Sequence, residues 1–201
     1  MRNKILHKAS EMFLNLGVKS VTMDDLAEKM GISKKTIYGF FNNKSDLIIA
    51  ATHFMFENMM TQINCICSNS KESPIISLFE INNFIWNQIN EENAPEYQLQ
   101  KYYPEIYQSL FEKKFIAVTN GITENLQRGI SLGLYRSDLD IPVIARFYYS
   151  GIDSIKNPDI FPLDQYKRSK LTPSYLIYFI RAIATPKGIQ ELENYIKKNE
   201  I

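Results

Sequence analysis

Apolar residues return every three or four positions through almost the whole chain, the period of helices that bury one face. Ile5, Leu6, Ala9, Met12, Phe13 and Leu16 share one such face, and Gly17 ends the run. A second helix is predicted to open at Val21-Thr22-Met23-Asp24-Asp25-Leu26. Thr22 can cap it, Asp25 stands three residues on as in a capping box, and Val21 and Leu26 are spaced for a hydrophobic staple. This helix buries Leu26, Ala27 and Met30 and stops at Gly31. Ser33 suits the N-cap of a third, short helix from Lys34 to about Phe41, broken by Asn42-Asn43. Asn43 can cap a long fourth helix, with Asp46 near the positive end of its dipole. Leu47, Ala51, Phe54, Met55, Asn58, Met59, Ile63 and Ile66 trace its buried stripe.

The same period continues after a polar break at Ser68–Ser73. Pro74 suits the first turn of a helix to about Ile89, Glu91–Pro95 is a loop, and Tyr97–Lys101 makes a short helix. Pro104 opens a long helix through Ile106, Leu110, Val118, Ile122, Leu126 and Ile130, and Gly133 ends it. Asp140 and Pro142 open the next, followed by a loop over Asn157–Thr172, a helix from about Pro173 to Ala184, and a last amphipathic helix from Pro186 to about Lys198. With no strands, repeats or low-complexity tracts in the pattern, the expected class is all-α.

Composition narrows the function classes. The longest apolar run, Leu47-Ile48-Ile49-Ala50-Ala51, is far short of the roughly 20 residues that span a bilayer. The charged N-terminus has no apolar stretch behind it, so a secretory signal is not expected and the cytoplasm is the expected location. Cys65 and Cys67, with His7 and His53 as the available imidazoles, make poor metal-site material, and no metal or other cofactor is expected. Neither histidine has an obvious nucleophile or acid partner, and no glycine loop cradles phosphate, so an enzyme is not expected. The net charge of +1 hides an asymmetry. Residues 1–46 hold eight Lys/Arg against five Asp/Glu; residues 47–201 hold fifteen against seventeen. A polyanionic partner would therefore meet the N-terminal end.

Residues 22–41 read as helix, turn, helix, with Gly31-Ile32-Ser33 as the turn. Glycine takes positive φ at little cost, as the reversal needs. The second helix would present Lys34, Lys35, Thr36, Tyr38 and Gly39 at its leading end, the end that enters a major groove in a helix-turn-helix reader. Lysine supplies cations for phosphates or a donor for guanine, and threonine can bond a base or touch a thymine methyl. Helix-start N–H groups add phosphate contacts.

Residues 21–47, from Val21-Thr22-Met23-Asp24-Asp25-Leu26-Ala27 through Gly31-Ile32-Ser33 and Thr36-Ile37-Tyr38 to Phe41, Lys44, Asp46 and Leu47, resemble the signature of the TetR family of transcriptional regulators. Ile5-Leu6, Ala9, Phe13 and Gly17 fit that family's first helix, so the likeness covers about residues 3–50. The resemblance implies a homodimer in which residues 1–46, an N-terminal three-helix bundle with the helix-turn-helix, bind double-stranded DNA at a palindromic operator. Residues 47–201 would form a larger C-terminal helical domain for ligand binding and dimerisation. It implies a repressor released by a small-molecule effector, with no membrane partner. Activation, or action without any inducer, stays open. Thr22, Tyr38 and Lys44 would contact phosphates; Ser33, Lys34, Lys35 and Thr36 would lie at the groove, with Lys35 and Thr36 as base readers. Two positions depart from the pattern. Phe40 stands where Tyr or His is usual, and Gly39 where a larger side chain is common; glycine there costs the helix roughly 0.5–1 kcal/mol relative to alanine. Tyr38 and Phe40 could equally be core aromatics, and Lys19 and Lys29 read as solvated charges.

The likeness extends to Gly133-Leu134-Tyr135-Arg136-Ser137-Asp138-Leu139-Asp140. It implies that helices near 141–156 and 173–184 pair with their copies in a second subunit. The middle of the chain is rich in aromatics. Phe84, Trp86, Tyr103, Tyr107, Phe111 and Tyr148 are candidate walls of an apolar ligand pocket; a filled helical core is the competing reading.

Overall fold

The computed structural model describes residues 1–69, 73–88, 95–157, 159–162 and 164–201, apart from the side chains of 68, 69, 88, 95–97 and 168. Ten helices follow one another among them: α1 (Arg2–Leu16), α2 (Met23–Met30), α3 (Lys34–Tyr38), α4 (Lys44–Asn69), α5 (Pro74–Gln88), α6 (Pro95–Tyr102), α7 (Pro104–Ser131), α8 (Ile141–Lys156), α9 (Arg168–Ile183) and α10 (Pro186–Asn199). The fold is all-α; the only strand-like pairing among the described residues is an isolated antiparallel bridge between Tyr135 and Ala184. Parts of the expected breaks at 68–73 and 91–95, and Pro158, lie outside the described residues.

The chain divides into two compact units. The first holds Met1–Gln62 with Asn87–Lys113, the second Ile63–Trp86 with Lys114–Ile201. In the first, Ile5, Leu6, Ala9, Met12 and Phe13 of α1 meet Leu26 of α2, Ile37 of α3 and Leu47, Ile48 and Ala51 of α4 in one buried cluster. Leu99 of α6 and Leu110 of α7 belong to the same cluster. Along α4 the fully buried positions end at Thr52; Phe54, Met55, Met59, Ile63 and Ile66 are half-buried and Asn58 is exposed. Gly17 closes α1 at φ 81°, ψ 151°, with the Gln98 side chain of α6 against its Cα.

The second unit gathers Ile75, Leu78 and Phe79 of α5, Ile122 and Leu126 of α7, Ala145 and Tyr148 of α8, Leu176, Phe179 and Ile180 of α9 and Leu192 of α10. Buried polar groups tie the helices together. Asn82 Nδ2 donates to the Tyr148 hydroxyl at 3.0 Å, and Asn125 Nδ2 donates to the Pro74 carbonyl at 2.8 Å. Burial pushes the Tyr148 hydroxyl up to about 12 even with Asn82 beside it.

Three helix bounds differ from the sequence pattern. α3 ends at Tyr38, not near Phe41; beyond it Phe40 and Phe41 donate to the Ile37 carbonyl as a closing turn. α6 starts at Pro95 and ends at Tyr102, wider than Tyr97–Lys101. α9 begins at Arg168, so Pro173 lies inside it, not at its start. A proline in a second turn removes one helical donor and crowds the preceding turn, but the helix continues because Leu176, Phe179 and Ile180 beyond it are buried.

Candidate nucleic-acid interface

The interface is built from three short-range devices. The first is the start of α2. Thr22 Oγ1 accepts from the Asp25 backbone N–H at 3.1 Å, while Asp25 Oδ2 accepts from the Thr22 N–H at 2.8 Å and from its hydroxyl at 2.7 Å. Those Thr22 bonds hold the Asp25 carboxyl below its usual range. The box closes as its spacing predicts, and Val21 and Leu26 are both buried beside it. The N–H groups of Met23 and Asp24 are left as first-turn donors. The Thr22 hydroxyl proton already points to Asp25, so a phosphate contact from that hydroxyl requires it to turn.

The second device is the reversal. Gly31 sits at φ 64°, ψ 32°, and its N–H reaches the Glu28 carbonyl at 3.1 Å while that of Ile32 reaches Ala27 at 3.1 Å. These two bonds make a Schellman cap, which ends α2 and aims the chain into α3. No side chain lies near the place a Cβ would take on Gly31, so the glycine answers to backbone conformation alone.

The third is the leading end of α3. Ser33 Oγ accepts from the Thr36 N–H at 3.1 Å and shares a hydrogen bond with Thr36 Oγ1 at 2.8 Å. The helix therefore starts with Lys34 and Lys35 on its first turn. Lys34 Nζ donates to Asp24 Oδ2 at 2.8 Å, and that bond holds the ammonium above its ordinary range. Lys35 and Gly39 are exposed, as is Tyr38 at 43%. Only Ile37 of this helix is buried, anchoring it to the core below. Phe40 is also 43% exposed, so neither aromatic is a core residue in this chain. Gly39 has ordinary helical angles, φ −68° and ψ −14°, so its backbone places no demand for glycine.

Lys44 opens α4, whose first turn Asn43 caps through the Asp46 N–H at 2.8 Å. Its Nζ donates to the Lys19 carbonyl at 3.0 Å; partial burial pulls its affinity for the proton down, with Asp25 opposing. Lys19, a solvated charge by sequence, is a junction. Its N–H goes to Gln98 Oε1 at 3.1 Å and its ammonium lies 4.5 Å from the Tyr102 ring centre. The Asp24–Lys34 pair and the Lys19 junction span 10 and 79 residues, beyond any helical spacing that would reveal them in sequence.

Thr22, Ser33, Lys34, Lys35, Thr36, Tyr38, Gly39 and Lys44 thus all lie in the first unit, on α2, α3, the turn between them and the start of α4. The six candidate ligand residues divide. Phe84, Trp86 and Tyr148 are in the second unit, whereas Tyr103, Tyr107 and Phe111 are in the first, where Tyr103 and Tyr107 pack on its core. Two open grooves, one of about 570 Å³ lined by Lys4, His7, Lys29 and Phe54 and one of about 560 Å³ lined by Pro104, Gln108 and Glu112, belong to the first unit and touch none of the six. Among the described residues no helix is long and apolar enough to cross a membrane, and no three His, Cys, Asp or Glu side chains gather as metal ligands.

A capped helix, a glycine reversal and an exposed second helix, carried by an all-α chain, make up a helix-turn-helix. Residues 5–51 match the family described as bacterial regulatory proteins, tetR family. Over 62 residues it is 31% identical to the HTH-type transcriptional activator FasR of Mycolicibacterium smegmatis; the match covers 31% of this chain and 28% of that protein. The fold is shared along nearly the full length with SmeT, the repressor of the Stenotrophomonas maltophilia multidrug efflux pump SmeDEF (TM-score 0.70, 18% identity, 92% of this chain and 91% of that one). It is shared likewise with E. coli NemR in its reduced form (TM-score 0.73, 14% identity, 92% and 98%).

Proposed function

We propose that this chain is a homodimeric, sequence-specific DNA-binding transcriptional regulator that sets α3 in the major groove of each half of a palindromic operator. The observation that carries this reading is the exposed first turn of α3, fixed by Ile37 below and the Gly31 cap behind. Lys35 and Thr36 read bases, with Ser33 and Lys34 beside them at the groove; Tyr38 and Lys44 hold phosphates; Thr22 and the α2 start hold another. Residues 1–46 serve as the reading head and 47–201 as the body that dimerises and binds ligand. Val143 and Phe147 on α8 and Tyr178 on α9 are exposed apolar side chains, Phe147 by 64% and Tyr178 by 77%, which suits a partner subunit there.

The regulator is a repressor released by a small molecule held in the second unit, with Phe84, Trp86 and Tyr148 as walls. The buried Trp86 indole N–H, for which no acceptor lies within reach among the described residues, supports a polar ligand atom beside it. The 62-residue likeness to an activator favours a second reading, in which the bound regulator activates transcription.

Selection of bound sequences from random DNA tests the first claim, and a palindromic site is the expected product. Lys35→Ala or Thr36→Ala should relax preference at one position per half-site, by ~1–3 kcal/mol, and Lys44→Ala should weaken all duplexes alike. A protein that enriches no sequence, or variants that bind unchanged, would sink the assignment.

A further inference from the structure

Lys34 and Lys35 are consecutive cations at the leading end of α3, yet they are not presented alike. The Lys34 ammonium is held by Asp24, which stands in the first turn of α2, so the pair bridges the two helices of the reading head. Asp25, next to it, is committed to the capping box, which leaves Asp24 as the carboxylate for Lys34. Both partners are exposed, 47% for the lysine side chain and 69% for the aspartate. The Tyr38 ring lies 6.0 Å from the ammonium on the α3 side.

We propose that Asp24 is a specificity-determining residue: its carboxylate masks Lys34, so that an ill-fitting duplex meets one cation of α3 and only a fitted site draws out the second. This rests on the DNA-reading role proposed above. An exposed ion pair is weak, so a phosphate or guanine edge placed at Nζ by a well-matched site can replace Asp24. Binding to arbitrary sequence comes almost wholly from cations meeting phosphates and releasing counterions. Withholding one cation per subunit therefore lowers arbitrary binding more than operator binding.

The test uses the full-length protein, its selected operator and a random duplex, titrated over a series of salt concentrations. Asp24→Asn should tighten random-duplex binding about two- to tenfold and steepen the salt dependence by about 0.9 per subunit. The operator-to-random ratio should fall accordingly. In a Lys34→Gln background Asp24→Asn should change nothing. Asp24→Ser, which retains a residue suited to a helix start, should reproduce Asp24→Asn, and both should melt with the parent protein. An unchanged ratio, a loss of both affinities, or an equal gain in the Lys34→Gln background overturns the masking role while operator binding by the parent stands. A parent protein that binds no duplex overturns the DNA-reading role itself, and this proposal with it.

Discussion

Gly17 occupies φ 81°, ψ 151°, a region open essentially to glycine alone, and a Cβ there would strike the Gln98 side chain. Gly17→Ala should therefore cost about 1–3 kcal/mol, read by chemical denaturation, without touching any residue proposed to face DNA. Gly31 differs: its left-handed angles lie in open space, so asparagine should serve there nearly as well. Asp25 gives a pH signature. Its carboxyl is held below the ordinary 3.8 by the Thr22 hydroxyl and N–H, so its stabilising effect is present above that value and fades as pH falls through the lowered one. Asp25→Asn should lower stability at neutral pH and flatten its fall in acid, followed by thermal melts across that range. Thr22, Asp25, Gly31 and Ser33 were legible in the sequence because each acts within three or four residues of itself. Asp24 and Lys19 were not, because their partners come from other helices.

At the scale of elements, hydrophobic period placed the ten helices of the described residues, and terminal punctuation placed most of their ends. It failed at Pro173, where the proline was expected to start a helix and instead lies inside one; burial of the residues beyond it outweighed the lost hydrogen bond. α7 holds another feature that spacing does not show. Lys114 is half-buried there, and desolvation, with the Lys156 ammonium adding and Asp153 opposing, pushes its ammonium down to about 7. Between that value and the ordinary 10.5 the unfolded chain binds more protons than the folded one, so stability should rise with pH through this window. Lys114→Met should remove that rise, measured by urea denaturation at several pH values.

At the scale of the molecule, the helix-turn-helix was the legible part, since it sits in one contiguous stretch. The candidate ligand walls were less so: aromatic side chains at helical spacing look the same whether they line a cavity or fill a core, and three of the six lie in the first unit. Dimerisation is open to direct measurement. Phe147→Glu with Tyr178→Glu, at side chains 64% and 77% exposed, should leave the subunit folded but drive it to monomer by sedimentation. Operator affinity should fall with it, because one short recognition helix reads only a half-site.

Leu99 and Leu110 sit in the same apolar cluster as Ile5, Leu26 and Ile37, although some sixty residues of other structure intervene in the chain. Anyone grafting this helix-turn-helix onto a foreign scaffold would have to transplant α6 and the head of α7 along with it. A cut made after α4 would strip two leucines from the interior and leave the remainder with an oily scar where they had been.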